Sequence, residues 1–452
     1  MKSKGDLKEE KISILLLKYS IPAILAMMVT SMYNTVDRAF IGSIKDVGAL
    51  AISGLGVTMP LFTILGAFCV GIAIGGSTNI SIKLGEGNKE DAEKILGSTV
   101  ALEVSVAIVI MLVGMFFLED ILYVFGASSE TINYAKDYMS VIFFGSWFNL
   151  PGFALNSAIR AEGNPKLAAN MMIISCVLNL VLDPIFIFVF NMGIKGAAIG
   201  TIMCQLLVCI WSVYYFTLGK SNLKLKAKNI KIKKKFFKAI ILIALTPFFM
   251  ELASGFIHLV TNRVLKTYGG DLAIGAMTTI TSIYLIFLMP VFGISQGMQT
   301  IIAYNYGAQE HNRAKSALLM SMIAGLIILG IGFILIQTIP HNLVAIFTNN
   351  SELSNIAING IKIYTVMLPS IGISILGAVY FQSIGSAKVS VVLSLLRQVI
   401  ILIPVITILP RLYGLNGVWA SQPISDLLAM AIVCIFLINE FKKEKYKKKV
   451  LS

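Results

Sequence analysis

A chain of 452 residues with 57% hydrophobic and only 13% charged residues is excluded from the soluble globular class, where about 45–50% and about 25% are usual. Its formal charge of +14 comes from 37 lysines and arginines that lie between apolar runs and not on a polar, aromatic-rich face. That placement excludes nucleic acid as a partner and points to the anionic inner surface of a membrane.

Taken in chain order, Met1 to Lys11 carry basic charge ahead of an apolar run, as a signal peptide does, but Lys18, Pro22 and the continuation to Phe40 make this an uncleaved first span. Apolar stretches long enough to cross about 30 Å of hydrocarbon as helix begin near residues 13, 51, 95, 132, 167, 197, 236, 272, 316, 354, 389 and 418. The prediction is an all-α membrane protein of twelve transmembrane helices. Charge orients them: the N-terminus, alternate loops and the C-terminal tail hold 28 of the lysines and arginines. The opposite side holds eight, among them Arg38, Lys45 and Arg411, and Arg397 falls within a span. Both termini are then cytoplasmic and the protein sits in the cell membrane.

The stretch 219–238 contains nine lysines and no acid and divides the chain almost in half. It predicts an N-terminal lobe over residues 1–218, a basic cytoplasmic linker over 219–238, and a C-terminal lobe over 239–452 with a basic tail. A shift of 222 residues aligns 48–166 with 270–388 and places Gly71, Gly75, Gly85 and Gly163 on Gly293, Gly297, Gly307 and Gly385. At a shift of 225, Pro22 and Arg38 meet Pro247 and Arg263, and at 221, Gly193 and Gly196 meet Gly414 and Gly417. Two pseudo-symmetric six-helix lobes of the same orientation require a twofold axis along the membrane normal and leave a central cavity between them. The Gly-x-x-x-Gly spacings at 71–75, 293–297 and 196–200 predict close helix contacts.

No catalytic constellation stands out: there is no H-E-x-x-H, no paired metal-binding acids and no Ser-His arrangement. Gly219-Lys220-Ser221 has the end of a P-loop, but Tyr214 stands where its first glycine belongs. The five cysteines lie in apolar runs without C-x-x-C spacing, and the three histidines are too far apart for a helical metal pair. The chain therefore reads as a non-enzyme without cofactor, a secondary transporter driven by an ion gradient or by a downhill substrate.

An ionisable group within a span costs about 2.5–3.5 kcal/mol, which singles out Asp37, Asp183, Glu251 and Asp426. Thr30, Tyr33 and Asp37 share one helical face with Asn34 beside them; Met172, Cys176, Asn179 and Asp183 share another; Ala197, Thr201 and Gln205 form a third. Carboxylates with neutral oxygen donors suit a proton or a dehydrated Na⁺. Two readings stay open here: an ion site, or Asp37 paired with a base while Asn179 and Thr201 bond between helices.

Several segments in order resemble the multidrug and toxic compound extrusion (MATE) family, and within it the MepA-like branch. They are Pro22, Tyr33-Asn34-x-x-Asp37 ending at Gly42, Arg160-Ala161-Glu162-Gly163-Asn164, the run Asn179 to Pro184, and Gly193-x-x-Gly196-Ala197-Ala198. The resemblance implies export of cationic, amphipathic drugs in exchange for H⁺ or Na⁺. It implies a cation site in the first lobe at Asp37, Asn179, Asp183 and Thr201, with Ala197 one turn before Thr201, and no metal other than a coupling Na⁺. It further implies that Pro22 lets the first helix bend when that site is occupied, and that Tyr33, Asn156 and Met172 line the drug cavity. Asn34, Cys176 and Gln205 share those faces, and Glu251 and Asp426 are expected to attract cationic drugs. The sequence departs from the family's other major branch in having no acid in the span 354–382, and the repeat partner of Asp37 is Asn262. Coupling is therefore expected in the first lobe. The chain is expected to act as a monomer among membrane lipids. A lipid-linked oligosaccharide flippase, which usually has fourteen spans and a basic cavity, is the alternative, as is an exporter of a native metabolite.

Overall fold

The computed structural model describes residues 7–44, 48–347 and 350–451. Met1 to Asp6, Lys45 and the side chain of Asn34 lie outside the described residues. Every regular element among the described residues is helical. The first lobe contains α1 (Ile12–Gly42), α2 (Gly48–Gly85), α3 (Lys89–Phe116), α4 (Ile132–Ala161), α5 (Pro165–Pro184, continued by a π turn over Ile185–Val189) and α6 (Gly193–Thr217). The second contains α7 (Lys234–Gly270), α8 (Leu272–Gly307), α9 (His311–Thr338) and α10, a pair Ser351–Tyr364 and Leu368–Ser383 bent by 56°. It is completed by α11 (387–413), which includes a π turn over Leu396–Ile401, and α12 (415–451).

Nine helical stretches among the described residues are long and apolar enough to cross a membrane, and the bent α10 is a tenth. Gly414, at φ 56°, divides the stretch Ala387–Lys443 into two spans. The twelfth is α4, which is 30 residues long but made less apolar by Lys136, Asp137, Asn149, Asn156 and Arg160. The matched glycines of the two halves have a conformational reason. Gly163 and Gly385 have φ of 113° and 77°, and Gly193 and Gly414 have 54° and 56°, values that favour a residue without Cβ. The same left-handed corner thus opens the fifth and sixth helix of each lobe.

Packing crosses between the lobes in a symmetric way. Leu7, Ile12, Leu15, Leu16 and Tyr19, before Pro22, belong to the hydrophobic core of the second lobe. Phe236 and Ile240, before Pro247, belong to a core of the first. The starts of α1 and α7 are therefore exchanged, and the two repeat-matched prolines lie where each helix returns toward its own lobe. The glycine pairs make this exchange fit: Gly71 and Gly75 face the Ala244 and Ile240 carbonyls of α7, while Gly293 and Gly297 face Ile24 and Ser20 of α1. Gly85 and Gly307 do the same between α2 and α8, against the carbonyls of Tyr304 and Ile82 respectively. A side chain at either would meet backbone that has no room to yield. Gly85→Val and Gly307→Val should each cost about 1–3 kcal/mol, read as a lower melting temperature of the purified protein, whereas Gly56→Ala, with open space around it, should cost less than either.

The basic segment after α6 is folded down onto the first lobe. Glu162 accepts from Tyr215 Oη at 2.7 Å, Ser221 Oγ at 2.6 Å and the Asn222 backbone N–H at 3.0 Å. Glu93 accepts from the Lys224 N–H at 3.2 Å and pairs with Lys226 Nζ at 2.5 Å. The start of the chain is held in the matching way on the second lobe, where Arg313 donates to the carbonyls of Leu7 and Glu10 at 3.2 and 2.7 Å.

Candidate functional site

Three helices bring the predicted first-lobe residues to one place. Along α1, Thr30, Tyr33 and Asp37 follow one face, and Thr30 Oγ1 lies 3.7 Å from Cys176 Sγ of α5. One turn further along α5, Asn179 Nδ2 donates to Asp183 Oδ1 at 2.8 Å. The Asp37 and Asp183 carboxyl groups are neighbours that interact electrostatically. Asp37, Asn179, Asp183 and Thr201 are all buried, and Asp183 is 0% exposed. Asp37 Oδ1, Asn179 Oδ1 and Asp183 Oδ2 have no hydrogen-bond partner among the described residues.

That is three unsatisfied acceptor oxygens in one buried corner, with no ion pair to Asp37 among the described residues. Arg38, its neighbour in sequence, is exposed and turns to Met59 Sδ at 3.7 Å. A buried polar atom without a partner costs roughly 1–3 kcal/mol, more when charged, and two carboxylates this close cannot both be ionised without a proton or cation between them. The arrangement can therefore hold H⁺, or a small cation that takes oxygen ligands.

Gly200 completes the corner. A Cβ there would collide with Asp183 Oδ1, so the close approach of α6 depends on its absence. Gly200→Ala should push the Asp183 carboxylate away from α6 and cost about 1–3 kcal/mol, read as a lower melting temperature of the purified protein. Ala197 is fully buried in the neighbouring apolar core and brings no polar side chain to the corner.

Two cavities adjoin it and share Tyr33, Asn149, Phe153, Thr201 and Gln205. The smaller, about 120 Å³, is also lined by Met172, Cys176 and Asn179. The larger, about 400 Å³, includes Asp37, Tyr138 and Ser146. Tyr33, Met172, Cys176 and Gln205 are thus placed together. Asn156 is not: it is fully buried, donates to the Ala168 carbonyl at 3.0 Å and accepts from Arg160 at 2.9 Å. It ties α4 to α5 and lines none of the cavities described.

Glu251 lies elsewhere, on the wall of a cavity of about 360 Å³ between the lobes that also includes Thr78, Ser157, Arg160, Gln299 and Gln382. Glu251 was expected to attract cationic drugs, but its cavity carries the Arg160 guanidinium as well as that carboxylate. Asp426 is a second correction. It is fully buried, lines none of these cavities, and is ion-paired with Arg397 at 3.2 Å. Its charge is already neutralised within the protein.

The sequence reading passed over Glu103 on α3, which is 0% exposed with neither carboxyl oxygen hydrogen-bonded. An acid in an apolar run was the signal that picked out the other four and applied here equally. The role of Gly200 had no such signal, because its use depends on which side chain faces it.

Comparison with known proteins gives the family and the fold. The family model described as MatE matches residues 22–185 and again 239–408, once in each half. Multidrug export protein MepA of Staphylococcus aureus (strain MSSA476) is 27% identical over 427 residues, 94% of each chain. The protein of that name from Staphylococcus haemolyticus (strain JCSC1435) is 26% identical over 430 residues, 95% of this chain and 93% of its own. A solved structure of a multidrug resistance MATE family transporter of the MOP superfamily, in an outward-facing conformation, superposes with a TM-score of 0.92 at 21% identity, over 99% of both chains.

Proposed function

The chain belongs to the MatE family, and on that premise we propose that it is a cation-coupled exporter of amphipathic cationic compounds, working by alternating access in the cell membrane. The observation that carries this reading is the convergence of unpartnered oxygens from Asp37, Asn179 and Asp183 in a buried corner that opens onto the Tyr33, Met172 and Gln205 cavity. The compound enters the cavity with its apolar part against Phe153 and Met172, and the coupling ion enters the corner behind it. Met172 supplies an adaptable surface suited to varied ligands.

Coupling requires the ion to distinguish the inward- and outward-facing states, since equal affinity for both would shift nothing. One charge crossing 100 mV contributes about 2.3 kcal/mol, close to what a hundredfold difference in affinity requires. Pro22 is the pivot of this proposal. The part of α1 before it packs in the second lobe, and the part after it carries Asp37. Ion binding at Asp37 and Asp183 draws the distal half of α1 onto α5, narrowing the cavity between them. Glu251, facing the inter-lobe cavity without an ion-pair partner among the described residues, attracts the cationic group on the way. The basic segment 219–238 and both termini lie on the cytoplasmic side by the distribution of lysine and arginine, and one chain suffices because each lobe supplies a wall of the central cavity.

The experiment is dye efflux from membrane vesicles with ΔpH and ΔNa⁺ imposed separately. Acceleration by one of the two identifies the driving ion. A rate that follows neither gradient contradicts the proposal.

A further inference from the structure

The second lobe has a buried carboxylate site of its own, and it is already filled. Asp426 on α12 receives Nη1 of Arg397 at 3.2 Å, and Gln422 Nε2 donates to its two oxygens at 3.1 and 3.2 Å. Tyr364 Oη holds Gln422 from behind at 3.3 Å. Arg397 lies in the π turn of α11, a local widening common at functional positions, and its carbonyl accepts from Ser425 Oγ at 2.5 Å.

The repeat says where this site stands. The register that matches Gly193 and Gly196 to Gly414 and Gly417 also matches Cys176 to Arg397, Thr201 to Gln422 and Gln205 to Asp426. The register that matches Pro22 to Pro247 matches Asp37 to Asn262. Asn262, Gln422 and Tyr364 line one cavity of about 290 Å³ in the second lobe. At the counterpart of the first-lobe cavity that adjoins the corner, then, an arginine replaces Cys176 and a carboxylate replaces Gln205, and the two are paired.

We propose that Arg397 is a tethered cation: Asp426 and Gln422 form a monovalent-cation site in the second lobe that the chain's own guanidinium occupies, withdrawing it from exchange with solution. A guanidinium keeps its charge at any working pH and cannot leave. The first lobe trades its cation with the medium during the cycle, and the second keeps its own throughout. This rests on the reading of the Asp37 and Asp183 corner as the exchanging ion site, and it accounts for why two matched lobes divide the work unequally.

The test removes the tether. Arg397→Ala is made in an Asp37→Asn, Asp183→Asn background, so that the first-lobe site contributes nothing, and its melting temperature is followed at fixed pH and ionic strength. N-methylglucamine is replaced stepwise by Na⁺, K⁺ or guanidinium. The proposal expects a saturable rise in melting temperature with at least one of these, absent when Arg397 is intact and absent again in Arg397→Ala, Asp426→Asn. The remaining titratable groups around the site are Tyr284, Tyr364, His258 and Glu251, the last of which lines a cavity together with Arg397, so pH is varied in a separate series. A protein that responds to pH alone, that is indifferent to all three cations, or that none of them recovers in folded form overturns the proposal. Failure of the first-lobe reading is distinguishable, because it is judged by ion-driven efflux with Arg397 intact and not by this melting series.

Discussion

Asp37→Asn and Asp183→Asn, made singly, should each abolish gradient-driven efflux, leaving only the passive leak, while the purified proteins fold and still bind dye. The substitution is close to isosteric, so the packing of α1 against α5 and α6 is kept. The negative charge is removed, and with it the requirement that a cation or proton enter the corner. Asn at 183 also puts an amide donor where Asn179 Nδ2 now donates at 2.8 Å, or else turns its own carbonyl there and leaves its NH₂ facing Asp37. In either arrangement the difference in ion affinity between the two states, about 2.7 kcal/mol for a hundredfold bias, disappears. Tyr33→Ala and Met172→Ala, on the cavity wall and away from the carboxylates, should instead change which compounds are carried. Efflux paired with equilibrium dye binding separates the two outcomes: loss of binding along with efflux in Asp37→Asn would mean that the residue holds the compound and not the ion.

The largest loss of stability should follow Asp426→Asn. Arg397 has no other carboxylate within ion-pair distance among the described residues; Asp426 is fully buried, and Arg397 borders a cavity of about 160 Å³ that Glu251 also lines. Breaking a buried pair from one side strands the other charge and typically costs about 3–5 kcal/mol. Removing both charges with apolar residues of similar size is often neutral, so Arg397→Met, Asp426→Leu should melt well above Asp426→Asn. If the single and double variants melt alike, the cost comes from lost packing and not from a stranded guanidinium.

The twelve spans were legible because composition does most of the work in a membrane: a helix must satisfy its own backbone in hydrocarbon, and an apolar run of the right length has few alternatives. The repeat was legible because glycines with φ of 54° and 56° and glycines pressed against backbone carbonyls tolerate little else. What the sequence does not reveal is which lobe a segment packs in. Nothing in the pattern of Leu15, Leu16 and Tyr19 distinguishes the core of the second lobe from that of the first, so the exchange of the two helix starts emerges only in three dimensions. The same limit separates the two groups of acids. Asp37 and Asp183 stand on faces whose neutral polar neighbours, Tyr33 and Asn179 among them, line the adjoining cavities. Asp426 is one turn from Gln422 on an equally polar stripe, yet its partner is Arg397, 29 residues away on another helix. Asn156 meets the same limit, since an amide within a span reads alike whether it faces a cavity or ties α4 to the Ala168 carbonyl.

The central claim is that the Asp37 and Asp183 corner is where the driving ion acts. Its most direct test is ethidium efflux from proteoliposomes carrying either wild-type protein or the Asp37→Asn, Asp183→Asn double variant, with ΔpH and ΔNa⁺ clamped independently. The account predicts that one gradient accelerates the wild-type protein and that neither changes the rate of the double variant. Equal acceleration of the double variant by the gradient that drives wild type would contradict it.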